Sequence, residues 1–144
     1  MPNPHVIRLN RAWDVRSGAT DAIDARQIEK LVTETESAQR IDLPCSESLE
    51  PQGLVLSRRF NRPSNLSDDQ PTMLAVAPAS LVDNIYVNGE QPVAMDTHEP
   101  GEHFRFGLTG KLQRFNRIDI ANPPAETLAE ADIRLLIYER TDTP

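Results

Sequence analysis

A single cysteine, Cys45, stands in 144 residues. It has no partner in the chain, which excludes a small domain stapled by internal disulfides. Glycine is scarce, at six, against twelve prolines. Proline is poorly tolerated inside helices, so the balance leans toward strands and loops. Aromatic residues number only seven: Trp13, Phe60, Tyr86, Phe104, Phe106, Phe115 and Tyr138. Basic residues are also short, with 15 Lys and Arg against 22 Asp and Glu, a formal net charge of −7. That balance excludes the basic stripe of a nucleic-acid binder and the polybasic patch of a membrane-surface module. No apolar run approaches the length that spans a bilayer. The first residues, Met1-Pro2-Asn3-Pro4-His5, carry neither a basic stretch nor an apolar one, so no signal peptide is visible and cytoplasmic residence is expected. The length suits one domain, expected to cover residues 1–144, and is too short for a barrel of about 250 residues.

What is present reads as β structure. Val6–Val15 is predicted as a first strand. Further strands are predicted at Arg40–Leu43, Gly53–Asn61, Pro71–Ala77, Leu81–Val87, Glu102–Leu108, Phe115–Ala121 and Ala131–Glu139. Asn88-Gly89 is the strongest hairpin signal, since both residues accept a left-handed backbone at little cost. Turn signals recur about every 8–12 residues, the spacing of a sandwich or jelly roll. Segment 16–37 departs from this pattern. Ile28, Leu31 and Val32 have helical spacing, but an extended hairpin arm fits the same residues, and the two readings stay open.

Alternation assigns faces. Phe104, Phe106 and Leu108 share one face, as do Ile133, Leu135 and Ile137, and Asn116, Ile118 and Ile120. The expectation is two packed antiparallel sheets of about eight strands. One conflict arises at Arg58, which shares its face with Leu54, Leu56 and Phe60. It must reach the sandwich edge or meet a carboxylate.

The order of motifs resembles the sugar-binding domain of family 2 glycoside hydrolases, a galactose-binding-domain-like jelly roll. Gly53–Pro63 is similar to that domain's "wYrRtF-xxP" strand, and Ile85-Tyr86-Val87-Asn88-Gly89 to its "vwlNG" hairpin. Phe104–Leu112 is similar to "pFxfDvTdlL", and Asn116–Ile120 to "NxLxvxV". Upstream, Ile7-Arg8-Leu9 with Trp13, and Leu43-Pro44, stand where that domain has its first strand and its "lP" segment. The departures are Gly107 for the aspartate, Tyr86 for the tryptophan, and Leu56-Ser57 before the arginine pair. In those enzymes the catalytic carboxylates sit on a following barrel, for which these residues leave no room. The resemblance therefore implies an accessory sandwich with no catalytic residues, a sugar affinity, and, in this type of jelly roll, a structural calcium ion in a loop. No other cofactor is expected.

A pyranose offers an apolar face and a ring of hydroxyls, so a site needs an aromatic platform and planar polar side chains. Tyr86 lies opposite Ile85 and Val87 on its strand and is the leading candidate, with Arg59, Arg105, Arg117 and Asp119 on non-core faces. Trp13 is a second aromatic, read either as platform or as core. A solvated sheet face would present the same residues. The second class of function is an assembly module using a sheet face or edge, with a homo-oligomer as one outcome. Asp96–His103 concentrates two histidines and three carboxylates, but a zinc site needs three or four convergent ligands, and a solvated loop explains the cluster. Asp68-Asp69 and Asp83-Asn84 are oxygen-rich in the way calcium favours, and turn chemistry accounts for them equally.

Overall fold

Two five-stranded antiparallel sheets are stacked face to face in the computed structural model. It describes residues 5–16, 25–34, 36, 39–45, 54–77, 81, 84–91, 94–95, 104–121, 123 and 125–138. In chain order the strands are β1 (His5–Arg8), β2 (Trp13–Arg16), β3 (Gln39–Ile41), β4 (Val55–Asn61), β5 (Thr72–Ala77), β6 (Ile85–Val87), β7 (Ala94–Met95), β8 (Phe104–Gly107), β9 (Phe115–Ala121) and β10 (Asp132–Ile137). Helix α1 spans Ala25–Glu34, and a single turn, α2, spans Ala125–Leu128. One sheet runs β1-β10-β5-β8-β7 and the other β3-β2-β4-β9-β6. The expected all-β sandwich is therefore the architecture observed.

The core forms where alternation placed it. Leu56, Ile118, Ile120 and Ile85 of one sheet meet Leu74, Val76, Phe106, Ile133 and Leu135 of the other. Trp13 is fully buried among them, and its indole Nε1 donates to the Leu9 carbonyl at 2.7 Å. A buried indole N–H usually needs such a partner. Cys45 is also buried.

The first strand is a correction. Val6–Val15 is not one strand but two, β1 and β2, on opposite sheets. The chain crosses between them at Asn10–Ala12, where Ala12 takes φ of 61°. Asn10 holds this crossing by long-range bonds. Its Nδ2 donates to Asp132 Oδ1 at 2.8 Å, and its Oδ1 accepts from the Ile133 amide at 2.8 Å. Its carbonyl accepts from the Leu43 amide at 2.6 Å. The Ala12 amide donates to Asp42 Oδ1 at 2.9 Å.

The conflict at Arg58 resolves at the sandwich edge. Its Nε donates to the Arg11 carbonyl at 2.8 Å and its Nη1 to the Arg59 carbonyl at 3.0 Å. The hairpin at Asn88-Gly89 forms as expected, with φ of 51° and 83° and paired Val87–Glu90 backbone bonds of 2.8 and 3.1 Å. In segment 16–37 the structure has the helix over 25–34.

Candidate functional site

The outer face of the β3-β2-β4-β9-β6 sheet carries the polar residues of the site. Strand register puts Arg40, Asp14, Ser57, Asp119 and Tyr86 in one row across all five strands. The next row on this face pairs Arg59 with Arg117, and the one beyond it Asn61 with Phe115. On the other side of the Asp119 row, Val55 pairs with Ala121. There α1 docks, burying Ile28 and Val32 against Val55 and Ala121, with Leu31 and Tyr86 beside them. Neither acid in its first turn nor base in its last supports this helix, so docking supplies its stability.

Beside α1 lies a charge network that runs from a buried carboxylate out to the helix surface. Asp119 is fully buried and accepts from Ser57 Oγ at 2.6 Å. Arg117 Nε donates to both oxygens of Asp119 at 3.0 Å, and its Nη2 donates to Glu29 Oε2 at 2.7 Å. Burial pushes the Asp119 carboxyl above its ordinary range, and the Ser57 bond and the Arg117 charge oppose that rise only in part. Arg117 moves upward too: burial lowers it, but Glu29 and Asp119 together outweigh burial. The network ties α1 to β9 and β4.

Beyond the helix, the same face opens into a cleft of about 440 Å³. Phe60 and Phe115 give it apolar surface; Asn61, Asn88, Gln113 and Asn116 give it amides; Arg59, Arg117 and Glu29 give it charge. Phe115 is 68% exposed, and Arg114 lies 5.3 Å from its ring centroid. The amides are held in place. The buried Asn116 accepts from Asn88 Nδ2 at 3.0 Å and from the Gln113 amide at 2.8 Å. Asn88 accepts from the Arg117 amide at 2.9 Å. The hairpin turn thereby positions one wall of the cleft.

The residues named from sequence divide accordingly. Arg59 and Arg117 line the cleft, Asp119 lies in the row beside Arg117, and Tyr86 shares that row but packs against α1. Arg105 belongs to β8 in the other sheet, paired with Ala75, and stands apart from the cleft. Trp13 is core and presents no ring to a ligand. Sequence reasoning missed Phe115 as a lining residue, although alternation sets it with Arg117 and Asp119. It placed Phe60 in the core; the residue does pack against the core, half-buried, and it also lines the cleft. Glu29 had no sequence signal, because its role depends on where α1 lands. Asp96–His103 lies outside the described residues. Among the described residues no three His, Cys, Asp or Glu side chains converge to hold a metal ion. Asp68 pairs with Arg62 at 2.8 Å, and Asn84 Nδ2 donates to the Ala121 carbonyl at 2.8 Å.

No family model matches the chain, and no curated protein matches its sequence. Solved structures do. A β-glucuronidase from an uncultured Clostridium species is similar over 96% of this chain and 30% of its own, with a TM-score of 0.53 and 17% identity. The Bifidobacterium dentium β-glucuronidase is similar over 84% of this chain and 20% of its own, with a TM-score of 0.56 and 20% identity. A chain assigned as a β-galactosidase from Bacteroides fragilis is similar over 95% of this chain and 24% of its own, with a TM-score of 0.51 and 12% identity. The sandwich has the fold of a segment of glycoside hydrolases. This agrees with the resemblance carried by the motifs. At such identities the likeness is one of fold, and the chain spans 20–30% of those hydrolase chains.

Proposed function

We propose that this chain is a non-catalytic β-sandwich module that binds carbohydrate in the cleft between the Asn88-Gly89 turn and the entry to β9. The observation that carries the reading is the exposed ring of Phe115 set among amides that other bonds hold in place. A pyranose uses such a surface fully, with its apolar face on the ring and its hydroxyls on planar amides. The cleft volume lies within the range of small-molecule sites. The neighbouring structures are named as glycosidases, which adds a sugar context to the fold. The proposal assigns no hydrolysis to these residues.

The assembly reading keeps one favourable observation. Val6, on edge strand β1, is 41% exposed and stands in register with Leu136 and Met73. Unpaired edges recruit partner strands.

A glycan array combined with light scattering separates the two. The proposal expects saturable glycan binding by a chain whose mass does not depend on concentration, and weaker binding by Phe115→Ala. No glycan binding together with a concentration-dependent dimer would overturn it in favour of assembly.

A further inference from the structure

The two guanidinium groups of the cleft are in different states. Arg117 is charge-paired: Glu29 and Asp119 take its Nη2 and Nε, and only 14% of its side chain is exposed. Arg59 stands directly across the strand pair from it. Arg59 is exposed and forms no ion pair with any described residue. Arg114, next to Phe115 in the chain, is likewise exposed, lies over one side of the Phe115 ring and has no carboxylate among the described residues. Like charges opposite each other on adjacent strands are unfavourable unless something neutralises them. Asp119 and Glu29 do so for Arg117; nothing described does so for Arg59. In a chain with 22 acidic and 15 basic residues, a cation with no counter-charge among the described residues, beside an aromatic surface, is a directional feature.

Resting on the carbohydrate reading above, we infer that the sugar is acidic, a uronic-acid residue whose carboxylate is met by Arg59 while its ring lies on Phe115. A guanidinium presents paired N–H donors whose spacing matches the two oxygens of a carboxylate. A neutral hexose offers hydroxyls to the amides and nothing to that fork. Glu29 does not repel the bound carboxylate strongly, because its own charge is engaged by Arg117. Arg59 is a specificity residue in this scheme; Phe115 and the amides supply binding common to both sugar classes.

The test is isothermal titration of the intact chain at low ionic strength with glucuronate, glucose and inorganic phosphate. Glucuronate is expected to bind at least about tenfold tighter than glucose, the worth of one charge-assisted hydrogen bond. Arg59→Gln should abolish that preference by weakening glucuronate far more than glucose, Arg59→Lys should keep part of it, and Phe115→Ala should weaken both sugars. Circular dichroism of each variant checks that the fold is kept. Equal affinity for glucuronate and glucose would overturn the acidic-sugar inference while leaving the carbohydrate reading intact. So would a preference that survives Arg59→Gln. Phosphate binding as tightly as glucuronate would also overturn it, reducing the feature to a general anion site. Failure of every sugar to bind would overturn the carbohydrate reading itself.

Discussion

Asp119 shows how one residue can serve the fold at a cost. Its carboxylate is buried on what would otherwise be a solvated sheet face, between Ser57 and Arg117. Replacing one member of a buried pair leaves the other uncompensated, so Asp119→Ala is expected to lower unfolding free energy by about 3 kcal/mol in urea titrations. The pH dependence has a definite sign. Burial holds the native carboxyl above its unfolded value, so the native state keeps this proton at a pH where the unfolded chain has released it. The stability linked to this group is fullest below the unfolded value and is lost as pH rises through the native one. Between about pH 3 and pH 7, the stability of the wild type relative to Asp119→Asn should therefore fall as pH rises. A relative stability that rises over that range would contradict the account. Asp119 was legible as a non-core position on β9, but not as a buried one, because alternation reports a face and says nothing of what covers it. The cover is α1, and its partner Glu29 lies 88 residues away along the chain from Arg117.

Among the elements, α1 and the two tight turns make separable claims. If docking holds α1, its buried side chains matter far more than its surface ion pair. Ile28→Ala is expected to cost about 2–5 kcal/mol, whereas Glu29→Gln should cost less than about 1 kcal/mol, since the Glu29 side chain is largely exposed. Chemical denaturation of the two variants side by side gives the comparison. The turns separate backbone strain from crowding. Gly89 has φ of 83° and open space around an added Cβ, so Gly89→Ala pays only the left-handed conformation, about 1 kcal/mol. Gly110 has φ of 72°, and an added Cβ would meet the Asp68 carbonyl at 3.1 Å. Gly110→Ala should therefore cost more than Gly89→Ala in the same assay. Sequence marked the first of these turns plainly, because Asn-Gly has a local cause. It also placed β9 at Phe115–Ala121 to the residue, a segment bounded by polar turns. It could not mark the break between β1 and β2. Ala12 is not a turn-forming residue, and Asn10 holds the crossing through partners more than 120 residues away in sequence.

For the molecule as a whole, the sandwich was legible because its information is repeated. Several half-buried strands, one hairpin and an ordered set of weak motifs all pointed to two packed sheets, and an error in the first strand did not disturb that reading. The cleft was not legible in the same way. It takes Arg59, Asn88, Phe115 and Glu29 from four elements, and only the sheet order and the docking of α1 bring them together. Trp13 and Arg105 illustrate the converse, since side chains plausible as ligand contacts in isolation were separated by the fold into the core and the opposite sheet. Under the proposed function, sugar enters this cleft and no other surface. Amide chemical-shift mapping of the isotope-labelled chain during titration with glucuronate tests it most directly. Saturable shifts are expected to concentrate at Arg59, Asn88, Gln113, Phe115 and Arg117, with the β1-β10-β5-β8-β7 sheet unmoved. Shifts confined to that opposite sheet, or none at millimolar sugar, would contradict it.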